Sequence, residues 1–403
     1  MPVVLYTCLL WLSISGLSTA EKHNSFTHES SRSPHRGLAP TNTDFAFNLY
    51  NRLVNLNPNK NILVSPVSIS TALAMLSLGP RGQTGTRLLQ SLGFNYTEAS
   101  EAKIHQDFQH LSRLLSQSDM SSSMSLGSII FFDQNLKLED SFLEAIKHYY
   151  GSEAFAIDFK DWTQASRQIN TYVESKTQGK ITEVFSDPSD LAPFMLFNYI
   201  FFKGTWEFPF SPENTREEDF YVNETTTVKV PMMVQSGLMG YLHDSVIPCQ
   251  LVLMDFVGNG TIFFILPDQN QMDTVTAALS RDTIKRWDTL LTKRQVNAHI
   301  PKFSMFDTHD LKEVLPEMGI EDLFTGQSNF SGYTQDDSKA VKVIHKAVLQ
   351  LDENGIVPVA TKRASRFARS EELTISFNRP FIVLIYDDIT WSSLLMGKIM
   401  KPA

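Results

Sequence analysis

Apolar residues recur at helical spacing through the first half of the chain and in alternating or continuous runs through the second. From residue 44, DFAFNLYNRLVNL sets Phe45, Leu49 and Leu53 on one helical face, with Asn42 or Asp44 available as a cap. The stretch NILVSPVSISTALAMLSLG (61–79) gives a short apolar run and then a helix opened by Ser65 and Pro66 and stopped by Gly79. That helix is apolar or small nearly all round, which predicts burial at the centre of the molecule. Further helices are predicted over 98–116, where Ile104, Phe108 and Leu111 share a face, over 138–149, over 161–178 with Ile169, Tyr172 and Val173 inward, and over 272–290. Strands are predicted over 124–132, within the continuous apolar segment 193–210, in TTTVKVPMM, QLVLMDF and GTIFFILP, and over 296–306. A continuous apolar strand suits a sheet covered on both faces. Helices come first and strands later, with no repeat or low-complexity linker between them, so the pattern predicts one α+β domain with a large, mostly antiparallel sheet system.

Residues 346–381 break the pattern. Residues 346–351 and 374–377 alternate as strands, and 381–386 form another apolar strand. Between them lie roughly twenty residues without a helical period, a length that marks a functional loop or a disordered one. The segment is rich in Ala and Ser and carries Lys362, Arg363, Arg366 and Arg369. We read it as a functional loop; the plainer alternative is that its cations keep an exposed loop solvated.

The net charge of −9 over 403 residues gives no general attraction to nucleic acid or anionic membranes. Residues 1–20 have an apolar centre followed by small residues, which predicts a signal peptide cleaved before Glu21 and a protein secreted into an extracellular fluid such as plasma. Residues 21–41, rich in Ser, His and Pro, are expected to form a mobile tail. Cys8 leaves with the signal peptide, so Cys249 remains alone among apolar neighbours and reads as a buried thiol. Asn95, Asn223, Asn259 and Asn329 each open an N-glycosylation sequon. There is no metal-ligand spacing, no phosphate-binding glycine motif and no recognisable catalytic set among the scattered histidines, so neither a cofactor nor an enzyme is expected. His345, between Ile344 and Lys346 in an apolar strand, reads as a packed residue of a sheet.

Taken in order, DFAFNLY (44–50), NILVSPVSISTALAMLSLG (61–79), QGKITEVF (178–185), NYIFFKGTWEFPF (198–210), VIHKAVLQLDENG (343–355) and FNRPFIVLIYD (377–387) resemble the serpin family over nearly the whole mature chain. The resemblance implies a single domain over 42–403, with three β-sheets, eight or nine helices and an exposed reactive-centre loop at about 353–376 that can enter the main sheet as a new strand. It places the scissile bond at Arg369-Ser370, suited to a trypsin-like serine protease. The hinge reads Gly355-Ile356-Val357-Pro358. On insertion, Ile356, Pro358 and Lys362 would share one side of the strand. Proline is excluded from central strands and a buried lysine needs a partner, so the hinge departs from what a fast protease trap requires.

Other segments, among them IHQDFQHL, DWTQASRQIN, AALSRDTIKRW and TWSSLLMGKIMKP, resemble a non-inhibitory, steroid-carrying branch of the family. That resemblance implies a monomeric plasma carrier of glucocorticoid and progestin steroids (cortisol, corticosterone, progesterone), which releases its ligand when a protease cuts the loop. Trp391 is the implied aromatic platform for the flat steroid rings. Arg281 and Lys285, four residues apart on one helical face, are implied to line the same pocket. Three positions depart from the branch: Leu253 stands for a Gln, Lys285 for an Asn or Asp, and Asp388 for a His or Lys. Lys285 and Asp388 could instead pair with each other. The alternative function is an inhibitor or decoy substrate of a trypsin-like protease, with Arg369 as bait.

Overall fold

In the computed structural model, residues 38–80, 83–95, 99–117, 124–184, 192–321, 323–324, 333–334, 341–355 and 373–402 are described. The first helix, α1 (Ala39–Leu56), starts ahead of Asp44, with Pro40 in its first turn, where a missing N–H costs nothing. After β1 (Ile62–Val64), Ser65 caps α2 (Pro66–Leu76) by accepting the Ser68 N–H. As its composition predicts, α2 is buried almost completely. Gly79 does not stop it; the helix ends at Leu76, and a Cβ at Gly79 would sit 1.8 Å from the Tyr333 ring, so the glycine admits an aromatic side chain whose hydroxyl donates to Leu76 O. The first-half elements continue with α3 (Gln83–Ser91), which the pattern did not mark, α4 (Glu101–Gln117), β2 (Met124–Asp133), α5 (Asp140–Tyr150), β3 (Glu153–Ile157) and α6 (Trp162–Lys176), capped by Asp161.

Strands then dominate: β4 (Phe194–Lys203), β5 (Arg216–Tyr221), β6 (Thr227–Asp244), β7 (Cys249–Phe256) and β8 (Gly260–Pro267). The helix expected over 272–290 is two helices, α7 (Met272–Ala278) and α8 (Arg281–Leu290). The break has a local cause: Ser280 turns extended and its hydroxyl accepts the Thr283 N–H at 3.1 Å, a cap that a serine favours over a place inside a helix. The strand expected over 296–306 also divides, into β9 (Thr292–Pro301) and β10 (Phe303–Asp310). Pro301 has no N–H to continue the ladder, and at Lys302 the chain passes from one sheet to the other. The chain closes with β11 (Val341–Leu351), β12 (Leu373–Ser376), β13 (Phe381–Asp387) and β14 (Ser392–Ile399).

The strands form two hydrogen-bonded sheets. The five-stranded sheet runs β10-β11-β4-β2-β3, and the nine-stranded one β1-β14-β13-β8-β7-β6-β9-β12 with β5 on β6. The long β6 carries two lobes of the larger sheet, pairing β5 at its start, β9 from Met232 to Tyr241 and β7 from Gly240 to its end, so the second and third expected sheets are continuous through it. As its unbroken apolar run predicts, β4 is covered on both faces: Leu196, Ile200 and Phe202 enter the main core, while Phe197, Tyr199 and Phe201 meet Ala165, Ile169 and Val173 of α6. Next to it, β11 pairs directly with β4, in parallel, from Val341↔Phe194 to Gln350↔Lys203.

A polar cluster lies within this otherwise apolar seam. His345 is fully buried; its Nε2 accepts the Ser65 N–H at 3.0 Å, so its proton is on Nδ1, which donates to Asn198 Oδ1 at 2.6 Å. The Asn198 amide then donates to Ser68 O and Gly127 O, tying α2, β2, β4 and β11 together. Burial, and after it the neighbouring His309, holds the His345 imidazole well below its usual pKa. The unfolded chain therefore binds a proton near pH 6.5 that the native state refuses. Stability is full above that pH and falls by about 1.4 kcal/mol per unit below it, roughly 2 °C in Tm for a chain of this size. Tm measured from pH 7.5 to 5 should fall with that slope in the native protein and more shallowly in His345→Gln; equal slopes would remove His345 as the cause.

Candidate functional site

The turn between β13 and β14 holds two of the predicted site residues. Asp387 Oδ1 accepts both the N–H (2.8 Å) and the hydroxyl (2.7 Å) of Thr390, and Asp387 O accepts the Trp391 N–H at 2.8 Å. This clamp sets Trp391 in the left-handed region, at φ +55°, uncommon for a bulky side chain and held only where the surroundings fix it. The indole is buried. Asp388 ties the turn to the β7–β8 hairpin: its N–H donates to Asn259 O at 2.8 Å, and its Oδ2 lies 3.1 Å from Thr261 Oγ1.

Leu253 sits two strands away. In register, Gly240, Leu253, Phe263 and Leu384 stand opposite one another across β6, β7, β8 and β13, so they share one face of the sheet. Leu253 is half-buried, and a Cβ at Gly240 would lie 3.1 Å from its own, so the glycine leaves the room that Leu253 occupies. Tyr386 joins the same face, its ring meeting Phe263 edge-on at 5.9 Å. Farther along this face Lys398, in register with Ile382 and Ile265, donates to Asn57 O and Pro58 O just beyond α1, which identifies it as the face beneath that helix.

The other two predicted residues lie on α8. Arg281 starts the helix, and its guanidinium pairs with Asp44 of α1 at 3.3 Å, while its Nε is buried without a hydrogen-bond partner. Lys285, one turn on, is exposed, and among the described residues no ion pair joins it to Asp388. The helix is fixed to the sheet from its other end. Buried Asp244, closing β6, accepts the Trp287 Nε1–H at 2.7 Å, the Val246 N–H at 2.9 Å and an ion pair from Arg286. Burial pushes the Asp244 carboxyl up, but the bonds from Arg286, Trp287 and Val246 outweigh it and bring it down to about 2. It therefore stays charged from pH 7.5 to 5, the range of the Tm measurement above.

The sequence reading assembled Trp391, Asp388, Leu253, Arg281 and Lys285; the structure distributes them over a turn, a strand and a helix around one face of the larger sheet. It adds Asp44, Phe263, Thr261 and Tyr386, for which the sequence held no signal, since Asp44 and Arg281 meet only through the packing of α1 against α8.

Of the loop expected over 353–376, the entry 353–355 and the exit 373–376 are described, the latter as β12 paired in parallel with β9. Trp206 is fully buried; its N–H donates to Asn354 O at 3.0 Å and its Nε1–H to Asp352 O at 2.7 Å, while Lys302 pairs with Glu353 at 2.8 Å. A side chain at Gly355 would come within 2.6 Å of Trp206 O, so this hinge position is small because the backbone lies against Trp206. Ile356, Pro358, Lys362, Arg369, Ser370 and Asn329 lie outside the described residues, as does the chain before Leu38. Asn95 and Asn223 are exposed and Asn259 half-exposed. Cys249 is buried, and burial pushes its thiol up to about 12, far from a reactive thiolate. No helix among the described residues is long and apolar enough to cross a membrane.

The parallel pair β11 and β4, a five-stranded and a nine-stranded sheet, and eight α-helices among the described residues define an α+β architecture that comparison with known proteins places. The family model described as "Serpin (serine protease inhibitor)" matches residues 40–402, and the chain belongs to the serpin family. Along its full length it is 63% identical to the corticosteroid-binding globulin of Rattus norvegicus and 56% identical to that of Homo sapiens, covering 100% of each. Among solved structures, human thyroxine-binding globulin complexed with thyroxine superposes with a TM-score of 0.84 at 37% identity, over 92% of this chain and 100% of that one. Human glycosylated kallistatin does so with a TM-score of 0.84 at 39% identity, over 92% and 99%.

Proposed function

We propose that this chain is a secreted, non-inhibitory serpin that binds glucocorticoid and progestin steroids, carries them in plasma and releases them when its reactive-centre loop is cut. The observation that carries the reading is its identity of 63% and 56%, over the full length of both chains, to two corticosteroid-binding globulins. In this reading the steroid lies between α8, α1 and the face of the sheet that carries Leu253 and Phe263. Trp391 offers a flat apolar surface to the rings, and Arg281, braced by Asp44, turns its unpartnered Nε toward a ligand oxygen. Lys285 and Asp388 flank the entrance. Leu253 supplies apolar contact where a polar group would otherwise read a steroid oxygen, and an oxygen left unpaired there costs about 1–3 kcal/mol. The chain acts as a monomer without enzymatic activity, with glycans at Asn95, Asn223, Asn259 and Asn329.

The loop would act as the release switch. Its entry continues β11, and a new strand between β11 and β4 requires the parallel pairing of those two strands to open. Ile356, Pro358 and Lys362 make that step slow, which suits a substrate better than a trap. The test is equilibrium dialysis of cortisol before and after limited cleavage with trypsin. Saturable one-to-one binding is expected, weakened at least several-fold by a cut at Arg369-Ser370, with no stoichiometric detergent-stable complex. An absence of saturable binding up to micromolar steroid would sink the carrier reading, and a covalent protease complex at near-stoichiometric yield would favour the inhibitor.

A further inference from the structure

A cavity of about 580 Å³, open on one side, lies away from the Trp391 turn and is lined by α2, α4, α5, β2 and Asn198 of β4. Its volume is in the range of small-molecule pockets, roughly 300–1,000 Å³. The inner wall is buried: Met75 and Leu115 are apolar, Met124 adds a flexible thioether, and Ser68 and Asn198 already have hydrogen-bond partners. The outer rim is exposed and cationic, with Arg113 on α4 and Lys147 on α5. Among the described residues, no aspartate or glutamate lines the cavity. Glu153, the acid that feels the charge of Lys147, is already paired with Lys176 at 2.7 Å. Neither rim cation has an ion-pair partner among the described residues.

We propose that this cavity binds a single-headed amphiphilic anion, its carboxylate or sulfate between Arg113 and Lys147 and its apolar body against Met75, Leu115 and Met124. The charged head gains two strong cationic donors at a rim with no competing acid among the described residues, and the apolar body gains the side chains of Met75, Leu115 and Met124. Because Asn198 and Ser68 belong to the cluster held by His345, an occupant would brace the junction of α2, β2 and β4. The proposal does not depend on the steroid site.

Calorimetric titration of the full chain with laurate, below its micellar concentration, tests it. Laurate is expected to saturate one site and raise Tm. Dodecanol, which lacks the charge, and inorganic sulfate, which lacks the chain, should each bind at least tenfold more weakly. Arg113→Gln/Lys147→Gln, both at exposed positions that leave the core intact, should weaken laurate at least tenfold and abolish its effect on Tm. Dodecyl sulfate at micromolar concentration distinguishes the head groups: binding equal to that of laurate means that charge alone is read, and tighter laurate binding means that the carboxylate is. Cortisol should not displace laurate. Equal binding of dodecanol and laurate, unchanged binding in the double variant, or displacement by cortisol would each overturn the proposal.

Discussion

Trp391→Ala is expected to weaken cortisol binding by roughly 30- to 150-fold. An indole face buried against a steroid removes apolar area worth about 2–3 kcal/mol, and each 1.4 kcal/mol is a factor of ten in Kd. Alanine is as constrained as tryptophan at φ +55°, so the exchange leaves the backbone cost of the turn unchanged and isolates the side chain. Trp391→Phe keeps a flat ring and loses the N–H and part of the area, so its loss should be nearer tenfold. Equilibrium dialysis reads both. Binding within threefold of the native value in Trp391→Ala would remove Trp391 from the site and leave it as a core aromatic.

Asp244→Ala is expected to be the most damaging of the single polar changes near α8. It strips the partner from the Nε1–H of Trp287, which is fully buried, from the Val246 N–H and from Arg286. Breaking a buried pair costs about 3–5 kcal/mol, and because Arg286 is partly exposed and can return to water the lower end applies. About 3 kcal/mol corresponds to roughly 4 °C in Tm for a chain of this size. Arg281 and Lys285 ride on the same helix, so steroid affinity should fall along with Tm. Asp244→Asn keeps an acceptor for Trp287 and should lose about half as much. A Tm within 1 °C of native for Asp244→Ala would show that α8 is held elsewhere.

Much of the fold was legible because local chemistry and tertiary packing agree. The apolar run of β4, the Ser65-Pro66 start of α2 and the amphipathic face of α6 are each stated within a few residues and each confirmed by burial on the predicted side. Where the reading failed, the deciding partner was distant or the signal ambiguous. Met272 to Leu290 carries one helical period across Ser280, and only the cap geometry shows the break. Pro301 ends one ladder and Lys302 begins the crossing to another sheet, which an alternating pattern cannot register. A glycine after an apolar helix predicts a stop, but the reason for Gly79 is the ring of Tyr333, which no local pattern announces. The site was legible by likeness alone. The clamp on the Trp391 backbone is local, from Asp387 through Thr390, but no local pattern assigns that indole a ligand, and nothing local to Arg281 shows that Asp44 braces it.

In the carrier reading, a steroid stacks on Trp391. The direct measurement is intrinsic fluorescence of the native protein and of Trp391→Phe during titration with cortisol. We expect saturable quenching with a one-to-one end point in the native protein and loss of most of that quenching in Trp391→Phe while dialysis still detects bound steroid. Quenching of equal amplitude in the two proteins, or none up to micromolar cortisol in the native one, would contradict it.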